Sequence, residues 1–223
     1  MNEMNTMNKI IILGDIHFDV GGGNQTILDN QLHFFNAQLF PYMKENNIKT
    51  IVQLGDLMDN RNKVSVNVSH YLKKKFFDVM KTEEIELYTL IGNHDIYHKD
   101  AREIHSLELF DEIYNNFHII NDIKTLEIQN KKLLIVPWVL PDEKYNFEDY
   151  LDTDYIFGHF ETNGVEMVKG INCNSAHAFC MDSFKGIKTF SGHFHLRRYY
   201  ETSNIYYVGT PNQINWSDYN EQK

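Results

Sequence analysis

Cysteine is scarce in this chain: 223 residues hold only Cys173 and Cys180. Two thiols cannot staple a chain of this length, so both read as free and the fold must rest on its core. No apolar run approaches the roughly 18 residues that a membrane span needs, so no membrane association is expected. The opening MNEMNTMNKI has no apolar signal core, so a cytoplasmic location is expected. Positive charge is also short, with 21 Lys and Arg against 31 Asp and Glu and a net charge of −10. That balance argues against strong non-specific binding to nucleic acid, which comes mainly from Lys and Arg meeting phosphate. Gly21-Gly22-Gly23 lacks a following Gly-Lys-Ser/Thr and reads as a loop rather than a phosphate cradle. There is no internal repeat and no low-complexity linker.

What is present is enough apolar material for one domain, at 42% hydrophobic and 13% aromatic residues. Residues 1–7 read as a loose tail and 8–223 as the domain. Strand-length runs rich in β-branched and aromatic residues recur: KIIIL at 9–13, TIVQL at 50–54, ELYTL at 86–90, KLLIV at 132–136, DYIFG at 154–158, KTFSG at 188–192 and IYYVG at 205–209. Helical spacing appears over about 26–46, with Thr26 as N-cap and Pro41 bending or shortening the helix, and again over about 66–82. TLEIQ-NK-KLLIV reads as a hairpin turning at Asn130-Lys131. The front half alternates strand and helix and the back half is mostly strand, so the fold class is layered α/β with two packed sheets and helices outside.

Five of these runs end alike. The ends read Gly14-Asp15-Ile16-His17, Gly55-Asp56-Leu57-Met58-Asp59, Gly92-Asn93-His94-Asp95, Gly158-His159 and Gly192-His193-Phe194-His195. Sites assemble at the carboxyl ends of strands in α/β sheets, and the preceding glycine is expected to let the chain turn tightly there. Asp15, His17, Asp56, Asn93, His159, His193 and His195 are seven candidate ligands, more than one tetrahedral zinc ion uses. Two divalent ions sharing a carboxylate would employ all seven and suit an in-line displacement at phosphorus. Carboxylate, amide and imidazole donors without thiolate favour manganese, iron or zinc over magnesium alone. Two such ions outweigh the two ligand carboxylates, so the site would attract phosphate despite the acidic total.

In these blocks, D-x-H, G-D-x-x-D, G-N-H-D, a lone G-H and G-H-x-H, the chain resembles the calcineurin-like metallophosphoesterases. The resemblance spans residues 14–195 and implies their four-layer αββα sandwich, two mixed sheets with outer helices. It implies that Asp15, His17, Asp56 and His195 hold one ion and that Asp56, Asn93, His159 and His193 hold the other, with Asp56 as the bridge. It makes His94 a catalytic residue that stabilises or protonates the leaving oxygen.

Protein phosphatases of that superfamily carry GDxVDRG and GNHE, whereas this chain has GDLMDNR and GNHD. With SGHFH and IYYVGTPNQINWSD, these segments are similar instead to the SbcD/Mre-type DNA repair nucleases, and in layout to the recombination nuclease subunits of T-even bacteriophages. That implies manganese, DNA as substrate, and both 3′-to-5′ exonuclease and single-strand endonuclease activity. It also implies recombination and repair with an SMC-like coiled-coil ATPase of the SbcC type, a homodimer, and the cytoplasm of a host cell. Cellular relatives often have histidine three residues after the bridging aspartate. Here that position is Asp59, expected to accept a hydrogen bond from the His94 ring and so to join the catalytic set. Arg61 and Arg197, beside ligand blocks, are the DNA-contact candidates. After Gly209-Thr210-Pro211 the resemblance implies a capping domain and an ATPase-docking segment, for which the twelve remaining residues leave no room. Two other readings stay open: a small-molecule or cyclic-nucleotide phosphodiesterase, and an idle scaffold.

Overall fold

Ile11–Leu13 (β1), Thr50–Gln53 (β2), Glu86–Leu90 (β3) and Phe117–Ile120 (β4) form a parallel sheet in the order β1-β2-β3-β4. The computed structural model describes residues 9–218, and the tail expected over 1–7 lies outside them. Parallel neighbours need a crossover, and two long helices over 25–45 and 66–82 supply the first two. Period-two alternation splits the sheet's faces: Ile51 and Leu87 pack with the helices, Val52 and Leu90 against the second sheet.

The first helix differs from its expected form at both marked points. Its cap is Asn24, whose side chain accepts from Thr26 N (3.0 Å) and Ile27 N (3.3 Å), so Thr26 lies inside the first turn. Pro41 does not end it either. The helix runs through a π-turn, Phe35–Leu39, and continues as Phe40–Glu45. The wider turn contains Ala37, the residue whose carbonyl the Pro41 ring would otherwise strike.

The second sheet has six strands, Lys124–Ile128 (β5), Lys131–Val136 (β6), Tyr155–His159 (β7), Lys188–Gly192 (β10), Arg198–Tyr200 (β11) and Ile205–Tyr207 (β12), in the order β11-β12-β10-β7-β6-β5. Glu166–Val168 (β8) and Ile171–Asn172 (β9) form a separate hairpin. The β5–β6 hairpin pairs Ile128 with Lys131, so its turn is Gln129-Asn130, one residue earlier than expected. Both turn residues have positive φ, 54° and 60°, as a two-residue type I′ turn demands.

The chain is thus an α/β sandwich of a parallel and a mixed sheet. Its outer layers are unequal. On the far face of the second sheet Phe147, Phe160, Phe184 and Tyr207 form a buried cluster under short 3₁₀ turns and the β8–β9 hairpin. Cys173 is buried there and Cys180 is exposed, and both are free. No helix among the described residues is long and apolar enough to cross a membrane.

Candidate metal centre

The carboxyl ends of β1, β2, β3, β7 and β10 are drawn together by main-chain bonds between loops far apart in sequence. Ile16 N and His17 N donate to Asp56 O (3.1 and 3.0 Å), and Phe18 N donates to Leu57 O (2.9 Å). The His159 ring crosses between sheets, Nδ1 to Leu54 O at 2.7 Å. His193 N donates to the Asp15 carboxylate at 2.9 and 3.1 Å.

Gly55 has the left-handed backbone (φ 90°) that the expected tight turn uses, but Gly92 and Gly192 serve another purpose. A Cβ on Gly92 would stand 2.2 Å from Asp56 Oδ1, and one on Gly192 would stand 2.4 Å from Leu54 O. Close approach excludes a side chain at both. The left-handed backbone falls on candidate ligands themselves, His17 (φ 51°), Asp56 (φ 55°) and His193 (φ 84°). Such conformations cost energy in non-glycine residues and concentrate at functional sites.

All seven candidate ligands lie in one cluster. Asp56 Oδ2 is 3.4 Å from His159 Nε2 and 3.7 Å from His17 Nε2, and Asp15 Oδ1 is 3.6 Å from His159 Nδ1. Asn93 Oδ1 lies 3.0 Å from His159 Nε2 and 2.9 Å from His193 Nδ1. His195 meets His17 ring to ring at 5.1 Å. The closest acidic and imidazole groupings are Asp15, Asp56 and His159, and His17, Asp59 and His94. Asp15, His17, Asp56 and His159 are each at most 2% exposed. His17 Nε2 is buried without a hydrogen-bond partner, while Nδ1 faces the Asp59 carboxylate. Unpaired buried nitrogen is costly, and a cation is the partner that oxygen and imidazole donors around such a ring would suit. The residues fit divalent ions.

Buried charges here set one another's protonation. Burial pushes the Asp56 carboxyl up, but His159, His17 and His94 outweigh it and hold the group far below the usual carboxylate range. Burial lowers His159, and Asp56 with Asp15 reverses this, raising it to about 9. His193, its half-buried ring desolvated and beside His159, falls to about 3.

His94 sits at the edge of the cluster, half-buried, its ring 4.8 Å edge-on from His17. Its Nδ1 meets the main-chain carbonyl of Asp59 at 2.8 Å. The expected bond from the Asp59 carboxylate is therefore absent; that carboxylate turns to His17 Nδ1, at 3.2 Å. Since a carbonyl only accepts, Nδ1 carries the hydrogen and Nε2 is left for substrate chemistry. Arg61 is half-buried with a buried Nη1 lacking a partner. Arg197 is exposed, donates from Nε to Tyr206 Oη, lies over that ring and lines a different cavity with Phe34 and Phe190.

Two carboxylates that the sequence left without a role stand behind these groups. Asp95 is fully buried and accepts from Asp56 N (2.9 Å), Gly92 N (2.9 Å) and Met58 N (3.0 Å), locking the second and third blocks together. Burial, then the Asp56 charge, raises it to about 7. Asp218, also buried, accepts from Ile214 N and Asn215 N and stands 3.8 Å from His195 Nδ1. The Asp in GNHD and in NWSD was the available signal, but neither spacing names a partner. Asp95→Ala would leave three buried N–H groups unpaired at about 1–3 kcal/mol each. Even the lower end of that sum, about 3 kcal/mol, lowers the melting temperature by roughly 6–12 °C; an unchanged thermal melt would refute the locking role.

Several known proteins resemble this chain. Exonuclease subunit 1 of Enterobacteria phage T4 is 26% identical over 219 residues, covering 96% of this chain, and the chain spans 62% of that relative's length. Among solved structures, a novel archaeal phosphodiesterase matches at 17% identity and TM-score 0.38, covering 73% of this chain and 79% of its own. The Pseudomonas putida nuclease MPE matches at 12% identity and TM-score 0.41, covering 87% of this chain and 65% of its own. Sequence matching to the calcineurin-like phosphoesterase family extends over residues 8–218, and the chain belongs to that family.

Proposed function

We propose that this phosphoesterase is a DNA nuclease that hydrolyses phosphodiester bonds with two divalent ions, manganese being the expected metal. The observation that carries the reading is the convergence of seven oxygen and imidazole donors beside a histidine, His94, whose Nδ1 is held and whose Nε2 is not. DNA as the substrate is supported by similarity to the phage exonuclease subunit. That relative's name as a subunit supports a partner, proposed to be an SMC-like coiled-coil ATPase, with a homodimer as the proposed assembly in recombination and repair.

Asp15, His17, Asp56 and His195 would hold one ion, and Asp56, Asn93, His159 and His193 the other. When bound, such ions place positive charge on the phosphate and make water a stronger acid. The chain's own residues then orient and move protons. His94 faces the departing 3′-oxygen and gives it a proton or a hydrogen bond. The Asp59 carbonyl accepts from Nδ1–H and orients the ring, and Nε2 makes that donation only when it too carries a hydrogen, that is, from the imidazolium form. Arg61 and Arg197 are proposed to meet the DNA backbone.

Asp59→Ala keeps the main-chain carbonyl, so His94 should stay oriented. What is lost is the carboxylate on His17, an outer partner of the kind worth about 10–100-fold in metal affinity. The expected result is weaker manganese binding with near-normal turnover at saturating metal; the reverse pattern would return Asp59 to the orientation of His94. The function itself is tested with labelled duplex DNA in manganese against a small phosphodiester. Nucleotide release is expected. Turnover of the small diester alone would make the chain a small-molecule phosphodiesterase, and no turnover of either would make it a scaffold.

A further inference from the structure

Beside the metal centre lies a cavity of about 500 Å³, in the size range of small-ligand sites. His159 is one of its lining residues, and the others lie outside the five ligand blocks. Trp138 stands between cavity and centre, its ring 5.0 Å from His193 and 5.9 Å from His159. Tyr145 and Phe179 add aromatic surface, Glu161 and His177 polar groups, and Lys99 and Lys144 exposed positive charge.

The Trp138 segment is fixed in place. Trp138 N donates to Ile91 O at 2.7 Å, directly before the third ligand block. Arg102, 8% exposed, donates to Trp138 O (2.7 Å) and Asn121 O (2.6 Å) and forks onto the Glu143 carboxylate. Glu143 in turn accepts from Leu140 N (2.8 Å). A surface loop whose tryptophan is held at its N–H by Ile91 and at its carbonyl by Arg102, itself forked onto the part-buried Glu143, is pre-organised in the way that reduces the ordering cost of binding.

We infer that this cavity takes the nucleoside next to the scissile phosphate, with its base stacked on Trp138. The inference rests on the nuclease reading above and gives that site a base-binding wall. An aromatic face accepts every base, so affinity without strong sequence choice is the expected outcome. It also answers the acidic composition: stacking supplies binding that a chain of net charge −10 does not draw from phosphate contacts alone.

The test uses manganese-loaded protein and oligonucleotides carrying either a normal base or an abasic sugar at each position flanking the cleaved bond. The wild type should cleave the base-bearing strand with kcat/KM about 5- to 150-fold above one of the abasic strands. Trp138→Ala should erase that ratio, and Trp138→Phe should restore most of it. A disturbed metal centre slows both strands alike and leaves the ratio standing, so the ratio isolates stacking. No preference in the wild type, or an intact preference in Trp138→Ala, overturns the inference. Calorimetry with deoxyadenosine monophosphate separates the two readings. If its binding needs Trp138 while no DNA is cut, the nuclease reading fails and the nucleotide pocket stands. Equal binding to wild type and Trp138→Ala, or none to either, refutes the pocket whatever the enzyme cleaves.

Discussion

Asp56→Ala should abolish manganese-dependent turnover and leave fewer than two ions per chain by metal analysis. Its side chain touches three of the other four blocks. Asp56 Oδ1 accepts from His94 N at 2.7 Å, while Oδ2 faces both His159 and His17. Losing an outer partner typically weakens metal binding 10–100-fold, and losing a shared ligand should exceed about 100-fold. The metal-stripped protein offers an independent readout. His159 is raised to about 9 from an ordinary 6.5, with burial opposing and Asp56 the largest favourable cause. A raised histidine stabilises the fold fully below about pH 6.5, and that contribution is lost as pH rises through about 9. Asp56→Ala should flatten this slope in denaturation measured without metal. Asp56→Asn, which keeps an acceptor for His94 N but no charge, should fold better than Asp56→Ala and still bind metal poorly. Two tightly held ions in Asp56→Ala would end its assignment as the shared ligand.

The convergence of the candidate ligands was legible because one pattern, glycine followed by Asp, Asn or His, recurs at five strand ends, and α/β topology sends those ends to one place. What the repetition could not reveal was the atom making each contact. Asp59 does lie against the His94 ring, yet its main chain rather than its carboxylate meets it, and spacing carries no sign of that difference. Asp95 was visible in GNHD, but two of its three partners, Asp56 N and Met58 N, lie almost forty residues away. The glycines show the same limit. Gly92 and Gly192 read identically to turn glycines, while the structure needs them for close approach of Asp56 and Leu54. In the fold, β4 was missed because Phe117–Ile120 is only four residues long and flanked by Asn and Asp, which reads as loop. β11 was missed because Arg198–Tyr200 reads as a basic surface patch; only its antiparallel pairing with β12 makes it a strand.

His94→Ala should separate chemistry from assembly. The ring's contacts are the Asp59 carbonyl through Nδ1 and an edge-on approach to His17; it is not among the seven donors around Asp56 and Asn93. Removing it should therefore leave two ions per chain and lower kcat on DNA by about 10²–10⁴-fold, the scale of a lost general acid. The leaving group supplies the sharper test. A departing 3′-oxygen is strongly basic and needs a proton, whereas 4-nitrophenolate departs without one. If His94 protonates the leaving oxygen, the deficit in His94→Ala should shrink markedly on methyl 4-nitrophenyl phosphate. An equal deficit on both substrates would instead mean that the imidazole acts by stabilising charge on the phosphate. Loss of metal in the same variant would make His94 a ligand and remove it from the chemistry altogether.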